Sequence, residues 1–274
     1  MVLIPMRHKA ALIGRHTMNL EGMYLGICGW WKDLDETTKQ AALDDFALSF
    51  SLNSARIEKE HTSHEVARQI FDKDAVENYT GELKPLVQVF NQKRAWMRAT
   101  QYLSEERPID TSLVLDLHQT LCAATYSERN FADGERPGTF RLGDCIIPDS
   151  TEIGADPEEV PGLVDDLCDQ VSDALGDATP KRVLTAASFF HASYETIHPF
   201  ADGNGISGRL LMNYTLIMGG NPPAVIFATD RPAYYEALEA FNRQGDLKPF
   251  KSFVMAETIK TWRKLATELA ENAQ

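Results

Sequence analysis

Twelve consecutive residues, His198-Pro-Phe-Ala-Asp-Gly-Asn-Gly-Ile-Ser-Gly-Arg209, place a proton acceptor, a carboxylate, a glycine-rich turn and a cation side by side. A histidine of near-neutral pKa at the loop entrance can take a proton from an incoming hydroxyl. Asp202 is a hard oxygen ligand suited to Mg²⁺ bridging phosphates. Gly203-Asn204-Gly205 falls where a helix is predicted to start. Free backbone N–H groups and the positive end of the helix dipole make such a start an anion site. Glycines there let the backbone approach phosphate oxygens closely. Arg209, four residues beyond Gly205, projects from the same helix end and suits a terminal phosphate or a carboxylate. These are the parts needed to hold a nucleotide's phosphates and attack one of them. A blander reading makes His-Pro a cap and Gly-Asn-Gly a tight turn, but it leaves the convergence of all the parts to chance.

The same residues also satisfy G-x-G-x-x-G, from Gly203 to Gly208. The dinucleotide fingerprint of that form requires a β-strand in front of it, in a βαβ unit. What precedes it here is an apolar helical stretch, Lys181 to Thr196, and no second strand leads to Asp230, the candidate ribose acid. The dinucleotide reading is therefore set aside.

The elements that must position these residues are mostly helical. Apolar residues at three- and four-residue spacing predict helices over Glu36–Phe50, Ser63–Phe71, Val76–Tyr102 (interrupted near Pro85) and Ser112–Ala123. Further helices are predicted over Asp156–Leu175, Lys181–Thr196, Gly205–Met218, Arg231–Gln244 and Phe250–Glu271, with Gly219-Gly220 and Pro222-Pro223 as a stop signal. Between Asn130 and Pro157 the chain turns rich in Gly, Pro and Asp. There Thr139-Phe-Arg and Cys145-Ile-Ile, around Leu142-Gly-Asp, predict a small β-hairpin. Gly22–Gly29 reads as a glycine-rich segment, and Trp30-Trp31 after it as packing on the core or as a dimer or target surface. The fold class expected is mainly α, a helical bundle with a small β-hairpin flap. The residues after about Ala266 are polar and expected to fray.

Composition narrows the partners. The 274 residues carry a formal net charge of −13, with 43% apolar and 24% charged residues. That suits a soluble globular chain and disfavours nucleic acid, whose phosphates call for a basic face. No apolar run is long enough to cross a membrane, and the start of the chain does not read as a signal peptide. Cys28, Cys122, Cys145 and Cys168 are scattered without a C-x-x-C pair, which fits thiols in a reducing cytosol. A cytoplasmic location is expected, and export as an effector would leave the same sequence. His61-x-x-His64, and His191 with His198, lack the further ligands of a metal site.

His198-Pro-Phe-x-Asp-Gly-Asn-Gly-x-x-x-Arg209 resembles the signature of Fic-domain proteins, H-P-F-x-D/E-G-N-G-R-x-x-R. The resemblance extends from roughly Phe46 to Val254. It passes through Leu117-His118, Pro137 to Arg141 with Ile146, Val160-Pro161, Gly220 to Pro223, Tyr234-Tyr235 and Gly245-Asp246. It implies residues 1–45 as an N-terminal extension, 46–105 as a helical region with an inhibitory helix near 54–60, 106–265 as a catalytic core and 266–274 as a tail. It also implies a protein adenylyltransferase, moving AMP from ATP to a Ser, Thr or Tyr hydroxyl of a target protein. His198 would be the base and Asp202 the Mg²⁺ ligand. Gly203, Asn204, Gly205 and Arg209 would bind phosphates, and Tyr235 and Asn242 the adenine side. Thr139, Phe140, Arg141 and Ile146 would belong to a flap that pairs with the target. ATP and a target protein are the partners implied, and a homodimer is compatible with the sequence.

The resemblance also implies a brake. Some members carry S/T-x-x-x-E-G/N ahead of the core. Ser54-Ala-Arg-Ile-Glu58 fits that pattern, with Lys59 in the usual Gly/Asn position. Read alone, Ser54 is a candidate helix N-cap. Glu58 would pair with Arg209 and block the γ-phosphate site, or position a water for the reverse removal of AMP. The main departure is Ile206, where the signature has its first arginine. Losing one charge-assisted phosphate contact costs about 1.5–3 kcal/mol. Slow AMP transfer, transfer of another nucleotide or phosphate-bearing group, and a module that binds nucleotide or partner without catalysis all remain open. Gly208 is expected to loosen the helix start.

Overall fold

The computed structural model describes residues 19–60, 62–145, 154–176 and 179–272. In chain order the helices are α1 (Leu20–Asp33), α2 (Glu36–Ile57), α3 (His64–Lys73), α4 (Leu83–Ser104), α5 (Thr111–Cys122) and the short α6 (Glu128–Ala132). They continue with α7 (Val160–Leu175), α8 (Pro180–Ile197), α9 (Asn204–Met218), α10 (Arg231–Gln244) and α11 (Lys248–Asn272). The mainly α expectation holds.

α8 and α9 pack on each other at the centre, with α7 on α8, and α4 and α5 on α9. Phe190, Tyr194, Leu210, Leu211 and Tyr214 are nearly or fully buried along that central pair. Helix starts follow side-chain capping. Thr179 accepts from the Arg182 N–H, Asp110 from Leu113, Ser63 from Val66 and Asp35 from Thr38. Pro85 sits in the first turn of α4, where its missing N–H leaves no bond unmade. That turns an apparent interruption into a helix start.

α1 is absent from the sequence expectations because its glycines mask it. Tyr24, Ile27, Trp30 and Trp31 share its buried side, and α1 packs on α11. Trp31 and Trp262 have ring centroids 4.8 Å apart, and Phe46 stacks on Trp262 at 5.7 Å. Large aromatic burial outweighs the low helix propensity of three glycines, about 1 kcal/mol each. Trp30-Trp31 is thus core packing rather than a dimer or target surface.

Three expectations need correction. The β-hairpin is not seen: Thr139 to Cys145 contains no strand, and Ile146 with Ile147 lies outside the described residues. Arg141 is instead turned inward at 2% exposure. Its guanidinium donates to the carbonyls of His198 (2.8 Å), Gly143 (2.8 Å) and Ala155. The frayed tail after Ala266 is instead the end of α11, held by buried Ala266 and Ala270. Ser54 is no N-cap, because α2 runs through it. Phe50, Leu52, Ala55 and Ile57 bury that stretch, and the Ser54 hydroxyl serves Arg209.

Just beyond α2 and its cap Glu58, Lys59 adopts φ 64°. The Glu60 N–H reaches back to the Ala55 carbonyl at 3.0 Å, and the Lys59 N–H to Arg56 at 3.1 Å. This left-handed closing residue is the one that glycine or asparagine takes most readily. Lys59→Gly should therefore raise stability by about 0.5–1 kcal/mol. Denaturant unfolding checks this, and a loss of stability would contradict the geometry.

Candidate functional site

α8 delivers His198 by ending on it. His198 takes φ 52° as the C-cap, and its N–H still bonds the Tyr194 carbonyl at 2.9 Å. A non-glycine residue held left-handed is a strained choice, fixed here by its surroundings. Arg141 grips the His198 carbonyl from below at 2.8 Å. The ring is 8% exposed at the cavity wall, and its Nδ1 has no partner. Burial pushes its pKa from 6.5 down to about 4. The imidazole is neutral at pH 7, which is the form that accepts a proton.

The turn after it is built to keep backbone N–H groups forward. Gly203 has φ 83°, and a Cβ there would run into Cys122 Sγ. The Asn204 side chain clasps Phe200, accepting from its N–H at 2.9 Å and donating to its carbonyl at 2.7 Å. Asn204 thus shapes the loop with its side chain, and only its backbone faces an anion at the start of α9. Phe200 stacks on His118 with centroids 3.5 Å apart and planes 5° from parallel. His118 Nε2 donates to the Asp202 carbonyl at 2.9 Å, while its Nδ1 accepts from the Gly138 N–H at 2.9 Å. These two partners fix one neutral tautomer, consistent with a pKa pushed to about 4 by burial. His118 is the buckle of the loop. In the sequence it carried only a resemblance, because its partner lies 84 residues away.

Asp202 opens onto the cavity. Enclosure raises its carboxyl above the usual range, opposed by the nearby Lys84 charge. One carboxylate oxygen accepts the Gly203 N–H at 2.7 Å. Among the described residues no three His, Cys, Asp or Glu side chains cluster as metal ligands. A single open carboxylate fits Mg²⁺ held mainly by substrate phosphates and water.

Arg209 projects from α9 and is 1% exposed. Its Nε donates to Ser54 Oγ at 2.9 Å, and its Nη2 to Glu58 Oε1 at 2.8 Å and the Ser54 carbonyl at 3.2 Å. Burial alone would lower its pKa, but Glu58 and the tyrosines Tyr234 and Tyr235 outweigh that and hold it up. A Cβ on Gly205 would strike the Glu58 carboxylate. Glu58 therefore stands directly over the first turn of α9. Gly208 is not a flexible spot: a Cβ there would lie 2.8 Å from His191 Nδ1. It is glycine so that α8 can approach.

His198, Asp202, Arg209 and Glu58 border one cavity of about 870 Å³. Its lining includes His198, Asp202, Gly203, Asn204, Gly205, Ile206 and Arg209, together with Glu58, Tyr235 and Asn242. Asn242 accepts from the Thr196 hydroxyl at 2.5 Å. Of the flap residues, Phe140 stacks near Phe200 at 5.6 Å, Thr139 bonds the Arg136 carbonyl at 2.8 Å, and neither lines the cavity. Glu195 escaped the sequence reading. It lies one turn before His198, lines the cavity, and has its carboxyl pushed up to about 7 by burial. His191 is a buried core histidine bonded to the Tyr234 hydroxyl at 2.7 Å, and His64 is exposed, while His61 lies outside the described residues. Asp230 pairs with Lys260.

The Fic/DOC family model matches residues 108–216, which contain the whole His198–Arg209 motif. The protein adenylyltransferase Fic of Nematostella vectensis is 39% identical over 109 residues, covering 38% of this chain and 25% of the relative. Its counterpart in Drosophila persimilis is 44% identical over 75 residues, covering 27% of this chain and 15% of the relative. The chain thus spans a quarter or less of the length of these curated relatives. Among solved structures, a Fic domain containing signaling protein from Bacteroides thetaiotaomicron superposes with TM-score 0.77 at 22% identity, over 93% of this chain and 97% of that one. A fragment of Fic-1 from C. elegans gives 0.71 at 20% identity, over 98% and 74%. At those identities the likeness gives the fold.

Because its pKa is depressed, the His198 ring keeps its proton-accepting form above about pH 4 and loses it only below. An NMR titration should show no His198 transition near 6.5 and a midpoint near 4. A midpoint of 6 to 7 would contradict the buried setting.

Proposed function

We propose that this chain, which carries a Fic/DOC-family domain, is a protein adenylyltransferase whose resting form is closed by its own Glu58. The observation that carries the reading is one cavity that joins a neutral His198, whose Nδ1 has no partner, to the first turn of α9. The curated relatives that match part of this chain carry the name protein adenylyltransferase Fic.

In this reading the target's Ser, Thr or Tyr hydroxyl oxygen attacks the α-phosphorus of ATP, and the bond to pyrophosphate breaks. His198 accepts the hydroxyl proton. The backbone N–H groups of Asn204 and Gly205, joined by that of Gly203 once it leaves the Asp202 carboxylate, would stabilise the negative charge that develops on the α-phosphate oxygens. Asp202 would hold Mg²⁺, which when bound neutralises charge on the phosphates. Tyr235 and Asn242, which border the same cavity, would hold the adenine end. Catalysis is then positioning and electrostatics.

Glu58 stands where the outer phosphates need Arg209 and Gly205. It acts as an anionic stand-in for them and must withdraw before the triphosphate aligns. The resting position of Glu58 also suits the positioning of a water for reverse removal of AMP. Ile206 favours a second reading, transfer of a different phosphate-bearing group, since an aliphatic side chain borders the cavity where the signature has a cation.

The test uses wild type, Glu58→Gly and His198→Ala with α-labelled or γ-labelled ATP, Mg²⁺ and a target mixture. Label from the α-position alone is expected on protein, more of it with Glu58→Gly. His198→Ala should cut it by about a hundredfold to ten-thousandfold while keeping ATP binding. Label from the γ-position alone would mean phosphorylation. No label from either, with binding kept, would leave a binding module.

A further inference from the structure

We infer that Lys84, Gln88 and Gln92 of α4 form a subsite for the outer phosphates of the nucleotide, supplying the contacts that Ile206 cannot. This rests on the nucleotide reading above, and it adds residues outside the signature. At spacings of four, the three side chains lie on one face of α4, and all three border the cavity. Leu121, Cys122, Thr125, Asp202 and Ile206 border the same cavity.

The decisive feature is Gln92. It is 2% exposed, yet neither its amide nitrogen nor its amide oxygen has a partner. The Gln88 amide oxygen is orphaned as well. The adjacent Asn91 is fully used, donating to the Leu121 and Ala123 carbonyls at 3.0 and 2.7 Å. Asn91 thus already ties α4 to the end of α5, and Gln92 is not needed for that joint. Buried amides normally find partners, and leaving one unmet is costly. A Gln that faces a cavity without partners is most simply satisfied by what enters the cavity.

Charge says what that occupant is. Lys84 is the cation of this wall, paired with Glu60 at 3.5 Å and near enough to Asp202 to draw its carboxyl down. Glu58, Glu60, Asp202, Glu195, Glu236 and Glu239 border the same cavity. An anion entering among these carboxyl groups must bring a divalent cation or find local donors. Asp202 provides for the cation, and Lys84 with the two amide nitrogens provides the donors. The amide oxygens can accept from water or hydroxyl groups around that ion. A polyphosphate matches both needs. An uncharged or cationic group would leave Lys84 and the donors unused.

The test is isothermal titration of ATP, ADP and AMP with Mg²⁺ into Glu58→Gly protein, alone and combined with Gln92→Leu or Lys84→Met. Each addition is expected to weaken ATP about tenfold while leaving AMP unchanged, since a hydrogen bond to a charged group is lost. Gln92→Leu should also keep or raise the melting temperature, because the amide it removes has no partner in the empty site. Equal losses for ATP and AMP, or no loss for either, would overturn the subsite. So would a lower melting temperature with unchanged ATP affinity, which would assign Gln92 to the fold. Failure of the Glu58→Gly parent to bind any of the three nucleotides would instead overturn the nucleotide reading, and the subsite with it.

Discussion

A guanidinium buried to 1% exposure must be satisfied from all sides, and Arg209 of α9 draws its partners from the end of α2 and from α10. Ser54 and Glu58 are more than 150 residues away in the chain, and Tyr234 is 25. An unpaired charge at that depth is expensive, so the end of α2 cannot drift off without something replacing it. Glu58, one-third exposed, is the partner that can leave for water at modest cost. The neutral Ser54 hydroxyl and carbonyl stay as a base for the cation. The same contact therefore stabilises the resting fold and, on the proposed reading, takes the place of a phosphate.

The loop beneath this ion pair depends on side chains that do no chemistry. Asn204 clasps Phe200, Phe200 stacks on His118, and His118 bonds the Asp202 carbonyl. Arg141 secures the His198 carbonyl from the other side. With these fixed, the His198 ring and the α9 N–H groups are held in place, which is the preorganisation that the proposed transfer reaction would require.

The motif and its helices were legible because the signals are local. Pro180, Gly219-Gly220, Pro232 and Gly245 punctuate α8, α9 and α10, and the twelve signature residues are contiguous. The Glu58–Arg209 pairing was legible only through a family resemblance. The rest depended on contacts far apart in sequence. α1 is helical because Trp30 and Trp31 pack against Trp262, which glycine content hides. α2 continues past Phe50 because its last turns are buried, so Ser54 is mid-helix. Gly208 looked like slack and is a contact with His191. Gln92 reads as an ordinary helix residue until the cavity beside it is seen.

The central physical claim is that Glu58 and the nucleotide's outer phosphates compete for one buried cation. The most direct measurement is the thermal stabilisation by saturating ATP with Mg²⁺ in wild type and in Glu58→Gly. Removing Glu58 leaves Arg209 short of a counter-charge, so the variant should melt lower than wild type without nucleotide. It should then gain a clearly larger increase in melting temperature when ATP is added. Equal increases in the two proteins would contradict the competition and detach Glu58 from the phosphate site.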